Sequence, residues 1–77
     1  MTHKEKQERY DALRREVLHQ LAYARRPMLD DEICRKAGAV TRGERQVVNR
    51  LLGRLVRLGF VRGVWRGDNY RGVEVNL

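Results

Sequence analysis

Along the first third of the chain the apolar positions recur at steps of three and four: Tyr10, Leu13, Val17, Leu21 and Ala24. That spacing follows the 3.6-residue helical turn and predicts one helix over 4–24 with a single apolar stripe. Thr2-x-x-Glu5 at its start has the form of a capping box. Glu5/Arg9 and Asp11/Arg15 are i,i+4 pairs on its wet face, each worth about 0.3 kcal/mol. Pro27 ends the pattern. The residue before a proline avoids the helical region, so 25–29 reads as an extended connection. Asp30 is read as the cap of a second, short helix over 31–37, with Ile33, Cys34 and Ala37 as its apolar face. Asp31 and Glu32 sit at its positive end, and Gly38 has the place of a C′ glycine. After a turn of three or four residues, Thr41-Arg42-Gly43-Glu44 gives a second capping box. A third helix over 42–58 follows, with Val47, Val48, Leu51, Leu52, Leu55 and Leu58 as its stripe. Gly59 stops it, with Phe60 placed to fold back on the last turn.

Beyond Gly59 the period changes from 3.6 to 2. Residues 60–66 and 70–77 are rich in Val, Trp, Tyr and Phe, and Gly67-Asp68-Asn69 between them has a hairpin-turn composition. Val73, Val75 and Leu77 alternate with Gly72, Glu74 and Asn76, which predicts one buried and one wet face. Trp65 and Tyr70 fall opposite each other near the tip, where packing on one another is the expected role rather than base stacking. The pattern therefore predicts a mainly α domain with a β-hairpin (α+β), a single unit over 1–77. Its order is helix, extended link, helix, turn, long helix, hairpin.

Length and composition narrow the function. Seventy-seven residues bury about 60–65% of the surface the unfolded chain exposes, which leaves a small core and little room for a deep cleft. With 42% hydrophobic and 35% charged residues the chain reads as a folded domain. One cysteine offers no disulfide framework and suits a reducing, cytoplasmic compartment. The charged N-terminus lacks the apolar run of a signal peptide, and no stretch nears the roughly 20 apolar residues of a membrane span. The net charge is +7. Residues 1–24 hold five basic and four acidic side chains, whereas residues 38–77 hold eight basic and three acidic ones, and all eight are arginine. Arginine's planar donor fork suits phosphates and guanine edges, so a surplus confined to the later elements points to a polyanion.

The order of elements, and above all Val48-Asn49-Arg50-Leu51-Leu52-Gly53-Arg54-Leu55-Val56-Arg57-Leu58-Gly59-Phe60-Val61, resembles the winged helix-turn-helix family of DNA-binding domains. The resemblance covers roughly residues 10–77. It implies three helices followed by a two-stranded wing over 60–77, with the third helix in the major groove and the wing on the adjacent backbone or minor groove. Many regulators of this kind carry a further dimerisation helix or ligand domain, and no such segment follows the wing here. The residues themselves fit the implied roles. Opposite the apolar stripe of the third helix, centred on Leu51 and Leu55, stand Arg42, Gln46, Asn49, Arg50, Gly53 and Arg57. Arg, Gln and Asn are the side chains that read guanine and adenine edges in pairs of hydrogen bonds. Arg45 and Arg54 add charge to that helix, and Arg62, Arg66 and Arg71 supply phosphate or minor-groove contacts from the wing. Gly53 is either a close-approach point for a backbone or a merely tolerated glycine.

Catalysis finds no footing. The chain has no serine, its two histidines (His3 and His19) lie on the first helix away from Cys34, and its glycines do not form a phosphate-binding loop. One cysteine without a His/Asp cluster does not make an ordinary zinc site, and no cofactor is expected. The expectation is a sequence-specific double-stranded DNA binder, a small transcriptional regulator of prokaryotic, phage or plasmid type. Two rivals keep the fold and change the partner: an architectural or replication-associated binder with weak sequence preference, and a protein–protein interaction module. A homodimer through the first helix is also expected, on the reasoning that Tyr10, Leu13 and Val17 extend past a small core.

Overall fold

The computed structural model describes residues 2–76. Three helices, α1 (His3–Tyr23), α2 (Asp30–Ala37) and α3 (Arg42–Arg57), precede an antiparallel hairpin of β1 (Val61–Arg66) and β2 (Asn69–Val75). The α+β order read from the periodicities holds, with ends moved by a residue or two. Leu77, assigned above to the last strand, lies outside the described residues.

The ends of the helices show which local signals act. Thr2 accepts from the Glu5 amide, and at α3 both halves of the Thr41/Glu44 box form. The short helix corrects the sequence reading at its start. Asp30 is already its first residue, and Leu29 holds the cap position without a side-chain bond. Asp30, Asp31 and Glu32 therefore stabilise α2 through its positive end rather than by capping. α2 and α3 stop in the same way, with Gly38 at φ 81° and Gly59 at φ 82°. In each, the two amides past the last turn bond back across it: Gly38 to Arg35 and Ala39 to Cys34, Gly59 to Val56 and Phe60 to Leu55. This is the Schellman arrangement. The Phe60 ring does not follow its backbone, however, and is 61% exposed.

The core lies where the helices meet the base of the hairpin. Leu13, Val17, Ile33 and Val48 are the largest fully buried side chains, joined by Leu21, Met28, Leu52, Leu55, Val61 and Val73. Burying each such side chain contributes about 1.5–3 kcal/mol. The buried line of α3 runs through Val48, Leu52 and Leu55, while Leu51 is half-buried and Leu58 is exposed. The stripe is thus rotated from the centre at Leu51 and Leu55 that the sequence suggests. Leu13 and Val17 are at 1% and 0% exposure and Tyr10 packs against the core, so the apolar stripe of α1 is used up within one chain. That removes the argument for a homodimer through those residues.

Two further corrections concern the extended link and β2. Met28 pairs with Val73 through two backbone hydrogen bonds of 3.0 and 2.9 Å, adding a one-residue third strand at the outer edge of β2. The link thereby fixes the hairpin to the helices. Gly72 makes that approach possible: a Cβ there would collide with the Met28 carbonyl, and its φ of 117° suits only glycine. Because Gly72 is buried alongside Val73, the simple in/out alternation expected for the strand fails at this point. The register shifts between Val64 and Trp65, leaving Arg71 as the extra residue of a β-bulge. The tip is a two-residue turn, Gly67-Asp68, with Arg66 opposite Asn69 and Gly67 at φ 63°. Glycine first with positive φ is the pattern of a type II′ hairpin turn.

Candidate nucleic-acid interface

The two segments that hold the candidate residues are α3 and the hairpin, and each is fixed by a different device. α3 is fixed by Arg9. This arginine donates from Nε to Glu44 Oε2 at 2.7 Å and from Nη2 to the Gly38 carbonyl at 2.7 Å, so α1 grips both ends of the turn between α2 and α3. The Arg9 guanidinium, with the backbone amides of Thr41 and Val40, holds the Glu44 carboxyl at about 2. The i,i+4 pairs expected on α1 are not the ones formed. Arg9 serves Glu44 instead of Glu5, and Asp11 pairs with Arg14 at 2.7 Å instead of Arg15. A longer-range partner beside half-buried backbone offers Arg9 two acceptors, where Glu5 offers a solvated one.

Arg42, Gln46, Asn49, Arg50, Gly53 and Arg57 are all exposed, on the side of α3 away from Val48, Leu52 and Leu55. No ion pair among the described residues engages Arg42, Arg50, Arg54 or Arg57. Nothing lies within 4 Å of a Cβ built on Gly53, so this face is bare at its middle. Arg45 and Arg54 leave this face on opposite flanks. Arg45 leans toward α2 and meets Asp31 at 2.9 Å. Arg54 turns toward α1, where Arg14, Val47, Arg50 and Leu51 line a shallow groove of about 180 Å³ with it. The ion pair of Arg45 is open to water, with the Asp31 side chain 91% exposed, and such pairs are worth about 0–1 kcal/mol.

On the hairpin Arg62 is committed to its cross-strand partner Glu74 at 2.8 Å. Arg66 and Arg71 are exposed and make no ion pair among the described residues. Trp65 and Tyr70 are register partners whose ring centroids stand 5.1 Å apart at 56°. They do pack on each other, yet Trp65 remains 64% exposed.

Between the two basic segments stands the acidic first turn of α2, whose place in the site the sequence did not disclose. Asp31 reaches Arg45, and Glu32 is held by Arg26 with Lys36 at 3.6 Å. The Arg26 hydrogen bonds, opposed by partial desolvation and aided by both cations, bring the Glu32 carboxyl down to about 2. Asp30 lies close enough to Tyr70 to push its phenol up, after burial, which is the larger cause. Two of the three carboxylates are thus matched by cations before any partner arrives. Arg9 and Asp31 escape a reading by spacing because their partners lie 35 and 14 residues away, beyond any helical spacing.

Burial pushes the Cys34 thiol up, which leaves it an unreactive thiol near Arg45. His19 stacks on Tyr23 at 4.6 Å on the outer side of α1. Among the described residues no three His, Cys, Asp or Glu side chains cluster as metal ligands, and no helix is long and apolar enough to cross a membrane. No protein-family model, curated protein or solved structure matches this chain.

Proposed function

We propose that this chain is a winged helix-turn-helix domain that binds double-stranded DNA sequence-specifically, without catalytic activity or cofactor. In this reading it is a small cytoplasmic transcriptional regulator of prokaryotic, phage or plasmid type. The observation that carries it is the solvent face of α3. Gln46 and Asn49 stand there with Arg42, Arg50 and Arg57, which make no ion pair among the described residues, all exposed, on a helix whose start is fixed by Arg9 and Glu44. A purely phosphate-binding face needs only cations. Amide side chains among them favour base reading over an architectural role. A protein-binding module would carry apolar side chains on that face. Here the exposed apolar side chains come only at the end, Val56 in the last turn of α3 and Leu58 just past it. The Met28–Val73 bridge supports the wing, because it gives the hairpin a fixed base from which Arg66 and Arg71 reach a phosphate backbone. With the α1 stripe buried, one chain per site is the proposed stoichiometry.

The test is a salt titration on duplex DNA. If about five arginines reach phosphates, log K falls against log salt with a slope of about −4 to −5. A slope near zero, or equal affinity for random duplex and for the best site of a selected pool, overturns the reading.

A further inference from the structure

The aromatic pair on the hairpin has a free ring face that the core does not use. Trp65 is the most exposed residue of its size on the hairpin, at 64%, and Tyr70 stands at 39%. Each is the other's ring partner, at 5.1 Å and 56°, and beneath them Gly63 contributes no side chain. A Cβ at Gly63 would lie 3.5 Å from the Tyr70 ring and 3.9 Å from Trp65 Nε1, so both rings rest on bare backbone. Trp65 keeps most of its surface in water beyond that contact. The β-bulge at Arg71 sits beside it, and Arg66 and Arg71 adjoin the two aromatics in sequence, both exposed and without ion pairs among the described residues. An exposed ring pair on a hairpin tip that also carries two exposed arginines matches a nucleobase flanked by phosphates. A base inside a duplex offers only its edge in the grooves; its face is free only when it is unpaired.

We infer that the Trp65–Tyr70 pair is a stacking platform for unpaired nucleobases, so that the wing takes a DNA with a single-stranded arm beside the duplex read by α3. This rests on the proposal that the chain binds DNA. It also assigns Trp65 a role that the sequence alone did not favour.

The chain has one tryptophan, so its fluorescence reports this site alone. The probes are a 20-base-pair blunt duplex, the same duplex ending in a fork of two six-nucleotide thymidine arms, and that fork with abasic arms. The abasic fork keeps every phosphate and removes every unpaired base. The expected result is quenching of Trp65 by the thymidine fork and a preference of at least about fivefold over the abasic fork, the low end of one stacked base. Trp65→Leu erases the preference while altering blunt-duplex affinity less than twofold, and Trp65→Phe keeps part of it. Circular dichroism on each variant, with the intact Trp65→Phe as a second reporter, separates loss of stacking from loss of fold. Equal affinity for both forks without selective quenching, with blunt-duplex binding retained, overturns the platform and spares the DNA reading. Failure to bind any of the three DNAs overturns both. A concentration-dependent blue shift of Trp65 without DNA gives the ring face to a second copy of the chain, and overturns it as well.

Discussion

α3 and the hairpin both carry exposed arginine, but they are built on different principles. α3 buries Val48, Leu52 and Leu55 along its length and is tied at its start by Arg9 and Glu44. Its outer face is therefore a rigid rod with polar readers at helical spacing. The hairpin buries Val61, Gly72 and Val73 near its base, and hangs on the Met28 rung. From Val64 outward its contacts are mostly its own. A helix held along its whole length can position an amide to a fraction of an ångström, as base reading requires. A hairpin anchored at one end serves contacts that tolerate displacement, such as phosphates and stacked rings. On the proposed DNA-binding reading the difference would give discrimination to α3 and affinity to the hairpin, and the two can be separated by substitution.

The largest effect is expected where the hairpin is anchored. Gly72→Val places a side chain into the Met28 carbonyl at a φ of 117°, so it strains the backbone and expels the link at once. It should cost about 3 kcal/mol or more, measured by urea denaturation. Ile33→Ala, in the helical core at 0% exposure, should cost about 2–5 kcal/mol. If Gly72→Val costs under about 1 kcal/mol, the Met28 rung does not anchor the hairpin, and the contrast with α3 loses its structural basis.

Next in size are the contacts to DNA. Asn49→Ala or Arg50→Ala should each cost about 1–3 kcal/mol on the preferred site and much less on random duplex. Arg66→Ala or Arg71→Ala should weaken both DNAs evenly. Equal losses on both DNAs for the α3 variants would place that helix outside the groove and give its role to the hairpin.

Much of this division can be read from residue spacing, and the part that cannot has a common cause. The Thr41/Glu44 box and the Gly38 and Gly59 stops are local patterns that recur in the structure with their expected geometry, and the α3 stripe recurs rotated toward Val48 and Leu52. What escapes spacing is pairing across the chain. Arg9 with Glu44 spans 35 residues, Arg45 with Asp31 spans 14, and Met28 with Val73 joins segments separated by α2, α3 and β1. Arginine's long stem reaches several partners of equal charge, so sequence favours the near one, whereas the fold gives Arg9 the better-shielded Glu44 and Arg45 the solvated Asp31. Site residues with short side chains and one solvated direction, such as Gln46 and Asn49, are legible for the opposite reason.

The Arg9–Glu44 tie makes the rigidity of α3 dependent on acid. Glu44 and Glu32 both ionise near 2 in the folded chain against an ordinary value of 4.5. A depressed folded value means that their stabilisation is fully present above the unfolded value. It fades as the pH falls from about 5 toward 2. The unfolding midpoint in urea should therefore drop across that window, and Glu44→Gln should flatten the drop and loosen α3 while leaving the hairpin rung intact. A pH profile identical to the parent protein would mean that Arg9 does not hold the helix.

The smallest effect probes the acidic turn that separates the two basic segments. Asp31 is almost fully in water, so Asp31→Asn should change stability by less than about 1 kcal/mol, including the loss of a favourable charge in the first turn of α2. Its consequence for binding has the opposite sign. On the proposed reading the substitution removes a negative charge between the two basic segments, and it frees the Arg45 guanidinium from its 2.9 Å contact. One more arginine on a phosphate steepens the salt slope by about 0.9 and should raise duplex affinity a few-fold at low salt. The gain must vanish in the double variant Asp31→Asn with Arg45→Ala, since Arg45 is the group released. If Asp31→Asn leaves both affinity and slope unchanged, the first turn of α2 lies outside the contact. α3 and the hairpin would then engage DNA as two separate patches rather than as one surface with a tunable acidic gap between them.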